Sequence, residues 1–197
     1  MIEKIGIIGA GQMGNGIAHV AAVAGCSVVL LDLDQQRIDA GLETITQNLA
    51  RQVRRNLLSE SDRSAAFDRI STTLDYADFG ECDFVIETAA EDEAVKRAIF
   101  KTLIPHLSDT ALIASNTSSI SITRLATTTD RPERFIGMHF MNPVPMMDLV
   151  ELIRGLATSE ETYQEVRTLA KRMGKTISVA EDFPAFIVNR ILMPMIN

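Results

Sequence analysis

Six residues near the start, Gly9-Ala10-Gly11-Gln12-Met13-Gly14, constrain this chain more than any other segment. They join a compact apolar strand candidate, Ile5-Gly6-Ile7-Ile8, to a small-residue helical stretch running from Gln12 to Ala24. Gly25 closes that stretch in the position of a helix C-terminal glycine. Ser27-Val28-Val29-Leu30-Leu31 then reads as a second buried strand, with Asp32 at its end, 18 residues beyond Gly14. The result is a βαβ unit with G-x-G-x-x-G at its first turn and a carboxylate after its second strand.

That combination is the fingerprint of a dinucleotide site, and the spacing assigns each glycine a separate duty. Gly9 permits the tight turn, Gly11 lets the backbone approach a pyrophosphate, and Gly14 allows close helix–strand packing. Gln12 and Met13 open the helix, whose free N–H groups and partial positive charge face the phosphates. Asp32 is placed to accept hydrogen bonds from the adenosine ribose hydroxyls, and its charge repels a 2′-phosphate, so NAD is favoured over NADP. FAD uses a similar fingerprint, but a chain of 197 residues leaves little room to enclose a flavin. The plain alternative is an unliganded βα turn with a solvated aspartate at a strand end.

The pattern continues along the chain. A charged helical segment runs from Gln35 to about Asn56, and short apolar strands are expected at Asp83–Glu87 and Ala111–Ser115, flanking a helix from Glu91 to Leu107. Phe135 to Phe140 is a further strand, followed by the Asn142-Pro143-Val144-Pro145 loop and an apolar run, Leu149–Ile153. A helix from Glu160 to Met173 and a strand, Thr176–Val179, complete the series. Strands alternating with helices predict an α/β fold, a Rossmann-type doubly wound and mainly parallel sheet. Phe183 to Met193 reads as the start of another helix, with Pro184 in its first turn. Its apolar face, Ile187, Ile191 and Met195, is expected to seek a partner chain or to be left disordered.

Composition narrows the classes of partner. A net charge of −7 repels the nucleic-acid backbone, so no nucleic-acid role is expected. The longest apolar run, Ile17 to Leu31, is broken by His19, Gly25 and Ser27 and falls short of the ~20 residues of a membrane helix, so no membrane role is expected. Cys26 and Cys82 have no CxxC spacing, which predicts neither a disulfide scaffold nor a metal site. The chain opens on Met1-Ile2-Glu3-Lys4 directly before a strand, with no room for a targeting peptide, and a cytoplasmic location is expected.

The three histidines differ in setting. His19 lies among alanines and valines in the first helix, where packing or a local hydrogen bond explains it, and His106 follows Pro105 at a helix end. His139 sits at the C-terminal end of a strand beside a polar, proline-rich loop, on the sheet edge where open α/β sheets bind ligands. Hydride transfer from an alcohol needs a base for the hydroxyl proton, and imidazole suits that task. A carboxylate that fixes the other ring nitrogen improves such a base. Glu151, in the apolar run Leu149–Ile153, is either that carboxylate, an outward-facing residue, or a partner for Arg154. Ser115-Asn116-Thr117-Ser118-Ser119 ends a strand on the same edge, where capping of the next helix, Ile120–Ala126, is expected to use one of these residues and leave others free for a ligand.

Taken together the motifs resemble the L-3-hydroxyacyl-CoA dehydrogenases, in particular their bacterial 3-hydroxybutyryl-CoA branch. The resemblance runs through Ile8–Gly14, Ala114–Ser119, Gly137–Pro145, Leu149–Glu151, Ile153–Gly155 and Phe186–Arg190, which is almost the whole chain. It implies an NAD-dependent enzyme that oxidises the 3-hydroxyl of a (3S)-3-hydroxyacyl-CoA to the ketone, reversibly, with His139 as catalytic base paired with Glu151. It also implies that Ser118 and Asn189 hydrogen-bond the reacting oxygen of the acyl-CoA. Glu91, Lys96 and Asn142 would line the cofactor site, with Ser118 near the nicotinamide. Asp148 stands where the family commonly has lysine, and Met141 replaces a frequent phenylalanine. The alternatives are a dehydrogenase of a related hydroxy compound, such as a sugar acid or carnitine, and a noncatalytic NAD-binding module. Residues 1–182 are expected to form the NAD-binding domain and residues 183–197 the truncated start of an all-helical domain for substrate capping and homodimer formation. An isolated first domain would then be weak or inactive.

Overall fold

The computed structural model describes residues 1–196 and contains one eight-stranded sheet in the order β3-β2-β1-β4-β5-β6-β7-β8. In chain order the strands are β1 (Lys4–Ile8), β2 (Ser27–Leu31), β3 (Ile70–Thr73), β4 (Phe84–Glu87), β5 (Leu112–Ser115), β6 (Phe135–Phe140), β7 (Leu149–Arg154) and β8 (Thr176–Glu181). The helices are α1 (Gln12–Val23), α2 (Gln35–Arg54), α3 (Glu60–Asp68), α4 (Glu93–Leu103), α5 (Ile122–Ala126), α6 (Glu160–Arg172) and α7 (Val188–Ile196). All neighbouring strands run parallel except β6 and β7, which are antiparallel. This is a Rossmann-like doubly wound fold, as the strand–helix alternation requires.

Strands buried on both faces account for the near-continuous apolar runs. In β1, Ile5 and Ile7 join a core shared with α1, α2 and α6, while Ile8 joins a second core beneath α4 and α5. The chain reverses its order across the sheet between β1 and β4, and there the carboxyl ends of adjacent strands open a crevice. The Thr88 hydroxyl bridges that crevice by donating to the carbonyls of Ile8 and Gly9 at 2.8 and 3.1 Å.

Two elements are absent from the sequence-based expectation. Helix α3 starts where Ser59 accepts from the Asp62 N–H, and β3 joins the edge beside β2; both come from short, weakly apolar segments. The last helix needs correction. It begins at Val188, and Pro184 lies in the turn before it. Ala185 and Phe186 hold left-handed backbone, at φ 65° and 51°, which prevents the helix from extending back to Phe183.

The cap of α5 is also not drawn from Ser115–Ser119. Ser121 fills that position and accepts from the Arg124 N–H. Asp182 supports the same turn by accepting from the Ser121 hydroxyl and from the Ile122 and Thr123 N–H groups.

Candidate active site

The glycine turn has the geometry its pattern requires. Gly9 has a φ of 102°, and a Cβ on Gly14 would lie 1.7 Å from the Gly9 carbonyl oxygen, so neither position admits a side chain without rebuilding the turn. Around a Cβ on Gly11 there would be no atom within 4 Å, so here the backbone faces open space. A cavity of about 540 Å³ lies over that opening, lined by Gly11, Gln12, Asp32, Arg37 and Asn142 among others. Met13 packs partly against the core and contributes to the site as part of the α1 N-terminus.

Asp32 is buried, and its carboxylate is fixed by the backbone. Oδ2 accepts from the Ala10 N–H at 2.6 Å and Oδ1 from the Leu33 N–H at 2.7 Å. A carboxylate has about four lone-pair sites, so each oxygen keeps acceptor capacity toward the cavity. These features fit the adenosine and pyrophosphate of a dinucleotide.

A second polar cluster lies at the carboxyl ends of β4 and β5. Glu87, Lys96 and Ser115 are all buried, with Lys96 Nζ 2.7 and 2.9 Å from the two Glu87 oxygens and the Ser115 hydroxyl donating to Glu87 at 2.6 Å. Lys96 Nζ is also 3.7 Å from Glu91. Glu91 Oε1 accepts from the Thr117, Ser118 and Ser119 hydroxyls and from the Ser118 and Ser119 N–H groups. Partial burial pushes the Glu91 carboxyl up, but the Thr117 and Ser118 hydrogen bonds and the Lys96 charge outweigh it and hold it below the usual carboxylate range. Thus Glu91, Lys96 and Ser118 come together, in a group separate from the residues lining the cavity over Gly11. Glu87 is the member the sequence did not flag. A carboxylate ending the apolar run Asp83–Glu87 demanded a buried partner, which was the available signal.

The third group joins distant parts of the chain. His139 and Glu151 are register partners across the antiparallel β6–β7 pair, and His139 Nδ1 lies 2.7 Å from Glu151 Oε2. Glu151 is fully buried, and Arg154 pairs with Glu160 instead, so the carboxylate faces inward to the imidazole. Its other oxygen accepts from the Ile187 and Val188 N–H groups at 3.1 and 2.9 Å, fastening the start of α7 to the pair. The buried Phe186 ring lies 6.1 Å from the imidazole, centroid to centroid. Asn189 Nδ2 donates to the Ser118 carbonyl at 3.2 Å, and the Asn116 side chain accepts from the Phe140 N–H at 2.9 Å. The strand ends bearing Ser118 and His139 are therefore tied together. With Nδ1–H directed at Glu151, Nε2 is left as the basic nitrogen. His19 and His106 lie outside the three groups: His19 is buried against Gln52 and His106 is exposed.

A sheet with an order reversal, an open glycine turn and a strand-end aspartate defines a Rossmann-type dinucleotide-binding domain. The family model for the NAD binding domain of 3-hydroxyacyl-CoA dehydrogenase matches residues 4–183. The chain belongs to that family, and its cofactor is NAD. It is 58% identical over 197 residues to the 3-hydroxybutyryl-CoA dehydrogenase of Bradyrhizobium diazoefficiens, covering 100% of this chain and 67% of the relative. To the probable 3-hydroxybutyryl-CoA dehydrogenase of Bacillus subtilis it is 48% identical, covering 100% of this chain and 68% of that one. The crystal structure of (S)-3-hydroxybutyryl-CoA dehydrogenase PaaH1 from Ralstonia eutropha superimposes with a TM-score of 0.98 at 47% identity, over 100% of this chain and 70% of that one.

Proposed function

We propose that the protein is an NAD-dependent 3-hydroxyacyl-CoA dehydrogenase, which oxidises the 3-hydroxyl of a (3S)-3-hydroxyacyl-CoA and reduces the 3-ketoacyl-CoA in reverse. The observation that carries this is the 2.7 Å pair of His139 and buried Glu151 at the ligand-binding edge of an NAD domain. In the oxidative direction His139 Nε2 takes the hydroxyl proton as the C3–H bond breaks and the ketone forms. Glu151 holds the tautomer and stabilises the imidazolium. NAD, when bound, supplies the hydride acceptor. Gly9, Gly11, Gln12, Met13 and Gly14 form the turn for its pyrophosphate, Asp32 takes the adenosine ribose, and Glu91, Lys96 and Asn142 border its remaining length.

Ser118 and Asn189 serve the reacting oxygen of the substrate. Both are in the same hydrogen-bonded unit as Glu91, which supports this assignment. An acyl-CoA also needs cations for its phosphates. Arg51 and Arg55 line a groove with Pro143, Pro145 and Met146 that shares Asn48 and both prolines with the cavity over Gly11. The relatives' names, 3-hydroxybutyryl-CoA dehydrogenase, point to the same substrate class.

Residues 1–182 are read as the NAD-binding domain, because the sheet ends with β8 at Glu181. Residues 183–197 are read as the opening of a helical part that covers the substrate and forms a homodimer. The exposed apolar residues Ile191 and Met195 on α7 support that reading. A cytoplasmic site of action fits an acyl-CoA substrate, and no helix among the described residues is long and apolar enough to cross a membrane.

Steady-state oxidation of NADH with acetoacetyl-CoA, set against keto acids derived from sugars and against dehydrocarnitine, tests the substrate class. Turnover with acetoacetyl-CoA and not with the others is expected. Preference for a substrate without CoA contradicts the proposal.

A further inference from the structure

We propose that Arg37, in the first turn of α2, determines how strongly the cofactor site discriminates against a 2′-phosphorylated dinucleotide. The proposal rests on placing the adenosine ribose at Asp32 and adds a second residue to that choice. Asp32 alone would reject a phosphate by repulsion, because the Ala10 and Leu33 N–H groups keep its carboxylate in place. Arg37 changes the balance. Its Nη1 lies 3.9 Å from Asp32 Oδ1, its Nε lies 3.2 Å from Asp34, and its side chain remains 61% exposed. Among the described residues that line the cavity, Arg37 is the one that carries positive charge.

A guanidinium is always charged and presents a fork of donors matched to phosphate oxygens. An arginine beside the ribose carboxylate is also the means by which dinucleotide folds accommodate a 2′-phosphate. This rim therefore holds both elements of the choice, one cation opposed by the carboxylates of Asp32 and Asp34. The carboxylates keep the site selective for NAD. Arg37 limits how selective it becomes, and it is available to a phosphate once Asp32 is removed.

Calorimetric titration of NADH and NADPH into the wild-type protein and the Arg37→Ala, Arg37→Lys, Asp32→Ser and Asp32→Ser/Arg37→Ala variants tests this, with the ratio of the two affinities as the readout. The wild type is expected to hold NADH tighter by roughly 10²-fold or more. Arg37→Ala should widen that ratio by about 10-fold or more, the worth of one charge-assisted hydrogen bond, while Arg37→Lys keeps it nearer the wild type. Asp32→Ser should narrow it by about 10-fold or more, and the double variant should lose the gain. Should the Asp32 variants fail to fold for want of an acceptor at Ala10 and Leu33, the two Arg37 variants decide alone. An unchanged ratio in Arg37→Ala overturns the proposal, as does an equal loss of both affinities. Binding of neither dinucleotide by the wild type would instead remove the cofactor assignment beneath it.

Discussion

The ligand-binding edge is made in two ways. At the junction of β1 and β4 the surface is backbone: a left-handed Gly9, an open Gly11, and N–H groups at the start of α1, with Asp32 as the main side chain. At β6 and β7 it is side chains: His139, Glu151, Ser118 and Asn189, brought from four separate stretches of sequence. Backbone recognition depends on what is missing, so a single added methyl group damages it. Side-chain recognition depends on what is present, so it fails when one partner loses its charge or donor.

The difference sets the order of expected effects. Gly14→Ala would push a Cβ to 1.7 Å from a backbone oxygen, and thermal unfolding should record a loss of about 3 kcal/mol or more. Gly11→Ala meets nothing within 4 Å, so its stability should stay within about 0.5 kcal/mol of wild type. Its NADH affinity should fall, because the new methyl group stands where the pyrophosphate approaches. Equal stability losses in the two variants would remove the distinction between a packing glycine and a ligand-facing one.

At the other end, Glu151→Gln removes the charge that balances the imidazolium and offers an amide where two kinds of donor now converge. Turnover should drop by on the order of 10²–10⁴-fold, the range of general acid–base catalysis, because the orienting carboxylate of the base is neutralised. The melting temperature should fall as well, because the start of α7 loses a charged acceptor. A variant with reduced turnover and unchanged melting would show that Glu151 does not fasten α7. Asn189→Ala removes one neutral hydrogen bond to the Ser118 carbonyl and should cost about 0.5–1.5 kcal/mol in denaturant unfolding. A loss beyond that range would mean more than this bond is at stake.

The smallest expected effect concerns acid. The folded pKa of Glu91 is depressed, so its stabilising contribution is full above the ordinary carboxylate range and is lost as pH falls below that range through the folded value. Between about pH 5 and pH 3 the wild type should therefore lose more stability than Glu91→Gln. Parallel acid limbs would show that the hydrogen bonds from Thr117, Ser118 and Ser119 do not hold the charged form.

The same contrast explains how much was legible in the sequence. The glycine turn, β2 and Asp32 are contiguous, and their spacing carries their geometry, so both the fold and the cofactor end could be read. His139 and Glu151 are 12 residues apart with a loop between them, and only the antiparallel β6–β7 register makes them neighbours. Strand periodicity cannot distinguish an antiparallel return from another parallel crossover, so spacing alone leaves Arg154 and solvent open beside His139 as partners for Glu151. Glu87 and Arg37 were missed for a related reason. Each is an ordinary charge in sequence and gains meaning from a buried partner on the next helix or on the cavity rim. The early start expected for α7 failed because proline position is a local signal, whereas Ala185 and Phe186 follow the tertiary pull of Glu151 on the next two N–H groups.

The central claim is that the two ends are separable: one binds NAD, and the other moves the proton. His139→Gln tests it most directly, with NADH binding followed by calorimetry and acetoacetyl-CoA reduction followed by NADH absorbance in the same preparation. Turnover is predicted to fall by about 10²–10⁴-fold, the contribution of a general acid–base, with NADH affinity retained. Turnover close to wild type, or a loss of NADH binding that accounts for the whole defect, would contradict it.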